Sequence, residues 1–167
     1  GVYGNRNNFR KTLPNKVTLM QYFKSNGYNT RGGGKIFHGN NRPGDSLSWD
    51  YYFVSKGHTR KSGRDRNLPK VSTGAGWFNW GPIDVPDDEM QDVRTVNWAK
   101  SELRKNHDKP FFLACGFYRP HLPWYVPRKY FDQFPLDQIV LPETKLEDLD
   151  EMPEYGTRFA RDRYSGS

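Results

Sequence analysis

Three side chains have the types and settings needed to act on an anionic group: Lys35, His38 and His121. An ammonium supplies fixed positive charge. An imidazole, with an ordinary pKa near ~6.5, donates a hydrogen bond or a proton close to neutrality. Gathered at one pocket, such groups complement an anion and protonate a leaving oxygen. His121 lies in Tyr118-Arg119-Pro120-His121-Leu122-Pro123-Trp124, where two prolines restrict the backbone and hold the imidazole in a stiff loop. The other histidines, His58 and His107, neighbour neither a stiff nor an apolar element and read as surface or structural residues.

Other features invite chemistry but have simpler explanations. Gly32-Gly33-Gly34-Lys35 looks like a phosphate-cradling loop, yet Ile36 stands where that motif requires Ser or Thr. The glycines read instead as a close backbone approach before a short strand. Asp87 and Asp88 resemble the start of a metal site, but acidic residues at a helix start are favoured by the macrodipole without any ion. The basic run His58 to Arg66, with aromatics on both sides, reads as a solvated loop.

The elements that must position Lys35, His38 and His121 follow from local pattern. Thr18 to Asn26 reads as a short helix, with Thr18 as cap, Leu19, Met20, Tyr22 and Phe23 as the apolar face and Gly27 as the stop. Lys35 to His38 reads as a short strand. Alternation then points Lys35 and His38 to opposite faces, unless the strand ends or bends near Phe37. Asp87 to Lys105 reads as a helix behind Pro86, with Met90, Val93, Val96, Ala99 and Leu103 at helical spacing. Phe111 to Phe117, FFLACGF, has the continuous apolar pattern of a strand buried on both faces, which makes Cys115 a small core residue. Helix, short turn and buried strand form half of a parallel α/β layer, in which ligands bind beyond the carboxyl ends of strands. Pro127 to Phe134 reads as a short helix started by its proline, and Leu136 to Ser167 as acidic, then irregular.

Composition sets the bounds. The 167 residues are 34% hydrophobic and include 16 Gly and 12 Pro, a thin supply for a self-contained core. Aromatics at 16% nevertheless argue for order, and they stud the long stretch Gly39 to Val85, which reads as an aromatic-rich loop or insertion. A net charge of +7 favours an anionic partner. The single cysteine excludes an internal disulfide framework and any CxxC motif. No apolar run approaches the roughly 20 residues of a membrane span, and no export leader opens the chain.

Two segments together resemble the sulfatase family. They are TLMQYFKSNGYNTRGGGKIFHG (Thr18 to Gly39) and KPFFLACGFYRPHLPWYVPRKYFDQFP (Lys109 to Pro135), and they are most similar to the branch with iduronate-2-sulfatase and choline-sulfatase-like enzymes. The Gly-Lys-x-x-His element reads Gly34-Lys35-Ile36-Phe37-His38, and the Pro-His-x-Pro loop reads Pro120-His121-Leu122-Pro123. The segment Gly81 to Asp92, GPIDVPDDEMQD, resembles the family's entry into the helix between them. The resemblance implies an α/β chain, part of an alkaline-phosphatase-like three-layer α/β/α sandwich with a mixed central sheet. It also implies hydrolysis of a sulfuric ester, on a sulfated carbohydrate or small sulfate ester and not on nucleic acid, outside the cytoplasm in a periplasmic, secreted or lysosomal setting. In such enzymes a formylglycine attacks sulfur and a divalent cation, usually calcium, polarises the sulfate. By motif, Lys35 would contact sulfate and the formylglycine oxygens, His38 would hold or deprotonate a formylglycine hydroxyl, and His121 would bind sulfate or protonate the leaving oxygen.

The departures matter equally. The nucleophile motif, Cys or Ser followed by x-Pro-x-Arg, is absent, since Cys115 precedes Gly116, Phe117 and Tyr118. The acidic pair that begins the metal site and the Asp-His or Asp-Asn that completes it are also absent, so metal ligands and nucleophile are expected outside this chain. Residues 1–167 then read as part of one catalytic domain cut at both ends, inactive in isolation. The alternatives are a phosphodiesterase or phosphonate hydrolase of the same superfamily, and a non-catalytic module whose basic, aromatic-rich loop holds a polyanion.

Overall fold

The computed structural model describes residues 2–4, 7–38, 45–55, 79–143, 145 and 147–161. Two compact units divide them, one within 1–61 and 85–121, the other within 62–84 and 122–167. In the first, helix α1 (Phe9–Thr12) is capped by Asn8, whose side-chain oxygen accepts from the amides of Arg10 and Lys11. Arg10 reaches across from α1, ion-pairing with Asp45 and donating to Gln21 Oε1 at 2.8 Å. Burial pushes the Asp45 carboxyl up, but Arg10 and Ser48 outweigh it and hold its pKa below the ordinary value. Helix α2 (Leu19–Ser25) begins with the expected Thr18, in a reciprocal capping box with Gln21, and ends before Gly27. Of its apolar face only Met20 is buried, while Leu19 and Tyr22 stay exposed.

Strand β1 (Asn29–Gly34) is the centre of a three-stranded sheet, ordered β2-β1-β4 and parallel throughout, with β2 at Tyr51–Phe53 and β4 at Phe111–Gly116. The strand expected at Lys35 to His38 thus lies six residues earlier, and the glycine run is its carboxyl end. The physical reason is ring packing: a Cβ on Gly33 would come 2.4 Å from the Trp98 ring, so the bare backbone is what lets that indole lie against the sheet. Helices cover both faces. Phe112, opposite Thr30, packs on Phe23 of α2 at 4.8 Å between ring centroids. On the alternate face Gly33 meets Trp98, and Arg31 pairs with Glu102, both from α3 (Gln91–Leu103). Helix, sheet and helix make three layers in this unit. Every described strand pairing is parallel, so any antiparallel member of a mixed sheet lies outside these residues.

Three expectations about these elements are corrected. Among the described residues strand β4 is at the sheet's edge, and its residues are half-buried or exposed instead of covered on both faces. Cys115 is accordingly exposed and is not a core residue. The helix expected from Asp87 to Lys105 begins as a 3₁₀ turn (Asp87–Glu89), and α3 proper starts at Gln91. Its buried stripe is Gln91, Thr95, Trp98, Ala99 and Glu102, while Leu103 is exposed. Two polar residues of that stripe are satisfied there: the Thr95 hydroxyl, like that of Ser55, donates to the Gln91 backbone carbonyl, and Glu102 holds two cations.

In the second unit, β3 (Trp80–Ile83) pairs in parallel with β5 (Trp124–Pro127), where the sequence suggested loop. Tyr125 is 1% exposed, and burial raises its phenol pKa. Pro127 ends β5, so the short helix α4 is Arg128–Phe131. Arg128 grips Asp84 through two hydrogen bonds of 2.7 and 3.0 Å. Helix α5 (Glu154–Arg161) forms in the tail expected to be irregular. The basic run His58 to Arg66 and the rings Trp77 and Phe78 lie outside the described residues.

Candidate active site

The carboxyl ends of β1 and β4 lie side by side, with Gly34 opposite Gly116. Two glycines meet there for a steric reason. Gly34 has φ +77°, and a Cβ on it would fall 2.0 Å from the Gly116 carbonyl oxygen. The crossing is tied by the Lys35 amide donating to Gly116 O at 2.8 Å and the Tyr52 hydroxyl donating to Gly34 O at 2.6 Å. Because β1 ends at Gly34, Lys35 to His38 are not extended, and strand alternation no longer sends Lys35 and His38 to opposite faces.

Lys35 and His121 share one neighbour. The Lys35 ammonium sits 5.2 Å from the Tyr118 ring centroid, and the His121 ring stands edge-on to the same tyrosine at 6.0 Å. A cation over an aromatic face gains about 0.5–2 kcal/mol and is held in direction. His121 is solvent-exposed, and its amide donates to Tyr118 O at 2.9 Å, closing a tight turn. His38 lines a cavity of about 370 Å³ with Phe37, Phe9, Asn7 and Tyr3, a lining that does not include Lys35 or His121. Phe9 and Phe37 stack at 5.1 Å between ring centroids beside it.

Sequence reasoning passed over the residues that hold the His121 loop. The Asp92 carboxylate, in the first turn of α3, accepts from the Tyr118 amide at 2.9 Å and from the Arg119 amide at 3.0 Å. Arg119 Nη1 donates to the His121 carbonyl at 2.6 Å. Burial lowers the Arg119 pKa, and the Asp92 charge opposes that. The macrodipole reading covered Asp87 and Asp88 and singled out nothing at Asp92, whose partners lie 26 and 27 residues along the chain. His107, read as structural, stacks on Phe111 at 4.2 Å, and its Nε2 lies 2.8 Å from the Glu102 carbonyl. Among the described residues no group of three or more His, Cys, Asp or Glu could hold a metal ion. Among them, too, no helix is long and apolar enough to cross a membrane.

The parallel strands β1 and β4 place Lys35 and His121 beyond their carboxyl ends, which is where ligands bind in open α/β sheets. The Sulfatase family model matches residues 1–161, and the chain belongs to the sulfatase family. It is 33% identical to a sulfatase of Formosa agariphila over 95% of this chain and 34% of that protein. It is 31% identical to human iduronate 2-sulfatase over 88% of this chain and 28% of that protein. An arylsulfatase of Clostridium perfringens is 29% identical over 59% of this chain and 19% of that enzyme. The chain therefore spans about a third of the length of the first two relatives. Membership carries with it the family's formylglycine and divalent metal, whose ligands are not gathered among the described residues.

Proposed function

We propose that the whole protein hydrolyses sulfuric esters, on a sulfated carbohydrate or small sulfate ester, and that this chain is one part of its single catalytic domain. The observation that carries the reading is the meeting of Lys35 and His121 around Tyr118 beyond the ends of β1 and β4, in a chain of this family. Lys35 complements the sulfate oxygens, and its charge gains weight as negative charge develops in the transition state. His121 protonates the leaving ester oxygen, and its exposure leaves room for an incoming group. His38 handles the proton of the attacking hydroxyl. The formylglycine, when present, supplies that hydroxyl, and a calcium ion, our assignment for the divalent metal, supplies further positive charge at the sulfate. We place the protein outside the cytoplasm, which cell fractionation checks.

The test compares 4-methylumbelliferyl sulfate with the corresponding phosphate monoester and diester, using the whole protein. Preferred turnover of the sulfate is expected, with residues 1–167 alone inactive. A preference for the phosphate diester would hand the site to the phosphodiesterase and phosphonate hydrolase reading. Hydrolysis of none of them, with polyanion binding intact, would leave a binding module.

A further inference from the structure

The geometry points to Asp92 as a positioning residue that sets His121 from a distance by clamping the loop between them; this deepens the sulfatase reading and rests on it. Each Asp92 carboxylate oxygen takes one of two consecutive amides, Tyr118 at 2.9 Å and Arg119 at 3.0 Å. Those amides belong to the first two residues beyond Phe117, at the exit from β4. A carboxylate that accepts both fixes the direction in which the chain leaves the strand, as the charged form of the acid makes the stronger bonds. From there two further hydrogen bonds complete the turn: the His121 amide donates to Tyr118 O, and the Arg119 guanidinium donates to His121 O. The same clamp places the Tyr118 ring, which is in contact with both Lys35 and His121. One carboxylate on α3 thus governs the mutual placement of a lysine and a histidine that reach the site from two different strands.

Asparagine in place of Asp92 keeps one acceptor oxygen and turns an NH₂ toward the second amide. Alanine removes both acceptors. Two readouts are needed, one of them independent of activity. Hydrogen exchange on the whole protein should show the amides of Tyr118 and Arg119 opening faster by about tenfold or more in Asp92→Ala, the size of a lost bond to a charged acceptor, and one of the two opening in Asp92→Asn. Turnover of 4-methylumbelliferyl sulfate should fall about tenfold or more in kcat for Asp92→Ala with KM within about twofold, as expected for loss of transition-state placement. In a double-mutant cycle with His121→Ala, the Asp92→Ala change should cost several-fold less than it does alone, because most of its effect runs through that histidine. A merely structural aspartate would instead give multiplying losses. Unchanged exchange at Tyr118 and Arg119 in both variants overturns the clamp, whichever substrate the protein takes. A wild-type protein inert toward sulfate esters sinks the sulfatase reading alone, and exchange still decides the clamp. Should Asp92→Ala fail to fold, Asp92→Asn carries the same comparison.

Discussion

Helix α3 carries two carboxylates, Glu102 buried and Asp92 half-buried, that serve the two ends of the same strand pair in opposite ways. Near the amino ends of β1 and β4, Glu102 is 2% exposed and takes side-chain cations, Arg31 Nε and Lys105 Nζ, each at 2.7 Å. Near the carboxyl ends, Asp92 spends its two oxygens on backbone amides. The amino end also has a cavity of about 410 Å³ lined by Arg31, Lys105, His107, Asp108 and Lys109, so cations gather there as well. Yet two of those cations are committed to Glu102. Burial pushes the Glu102 carboxyl up, but Lys105 and Arg31 outweigh it and hold the pKa below the ordinary 4.5. A carboxylate that collects cations consumes local charge and locks helix to sheet, whereas one that collects amides shapes a loop. Charge density alone does not locate an anion site.

Four variants and one pH series test that division. The largest effect belongs at the carboxyl end: His121→Ala should lower kcat of the whole protein by about 10²–10⁴-fold. Because the residue is exposed, the urea midpoint should hardly move. A kcat within a few-fold of wild type would move the catalytic assignment elsewhere. Glu102→Ala should do the reverse, costing about 3 kcal/mol in urea unfolding because it strands Arg31 at the helix–sheet contact, with kcat preserved in the folded fraction. If instead it cut kcat and spared stability, the two ends would have exchanged roles.

Gly34→Ala should cost about 2–3 kcal/mol, since it forces a positive φ on a residue with a Cβ and drives that carbon onto the Gly116 carbonyl. A loss under about 0.5 kcal/mol, within surface-substitution scatter, would mean that the strand ends can separate freely. The acid response is smaller. Glu102 has a folded pKa below its unfolded value, so its stabilisation is present above about 4.5 and is lost as pH falls through the lower folded value. Urea titrations between about pH 6 and about pH 3 should therefore be flatter in Glu102→Gln than in wild type. Least of all, Lys24→Ala should cost under about 1 kcal/mol in the same assay, because its 2.8 Å pair with Asp50 is 38% and 33% exposed. A larger loss would show that pairs at the surface of α2 also lock helix to sheet.

Local signals were readable where they were complete within a few residues. Thr18 precedes the first turn and Gly27 follows the last, so α2 was legible with its cap and its stop. The apolar run from Phe111 likewise named β4 within one residue. Its burial was not legible, because whether an apolar strand is central or at an edge depends on which strands pair beside it. Strand β1 was misplaced because Asn-Thr-Arg-Gly-Gly-Gly has no strand-like propensity of its own. Its conformation is imposed by ladders on both sides and by an indole that needs bare backbone. Strands β2 and β3 hid in an apparent loop for a similar reason, being three and four residues long and defined by partners far along the chain.

By itself the sequence determined that this is an α/β chain and offered Lys35, His38 and His121 as candidates for anion chemistry, because residue type and motif spacing are written in the chain. Tertiary structure alone decided which of them meet. Lys35 and His121 are 86 positions apart by their numbers. Parallel pairing of β1 with β4 brings their strand ends together, and Tyr118 then stands beside both. It also decided the use of the acids on α3, since a carboxylate's role is set by whichever donors folding brings within hydrogen-bond distance: amides for Asp92, cations for Glu102.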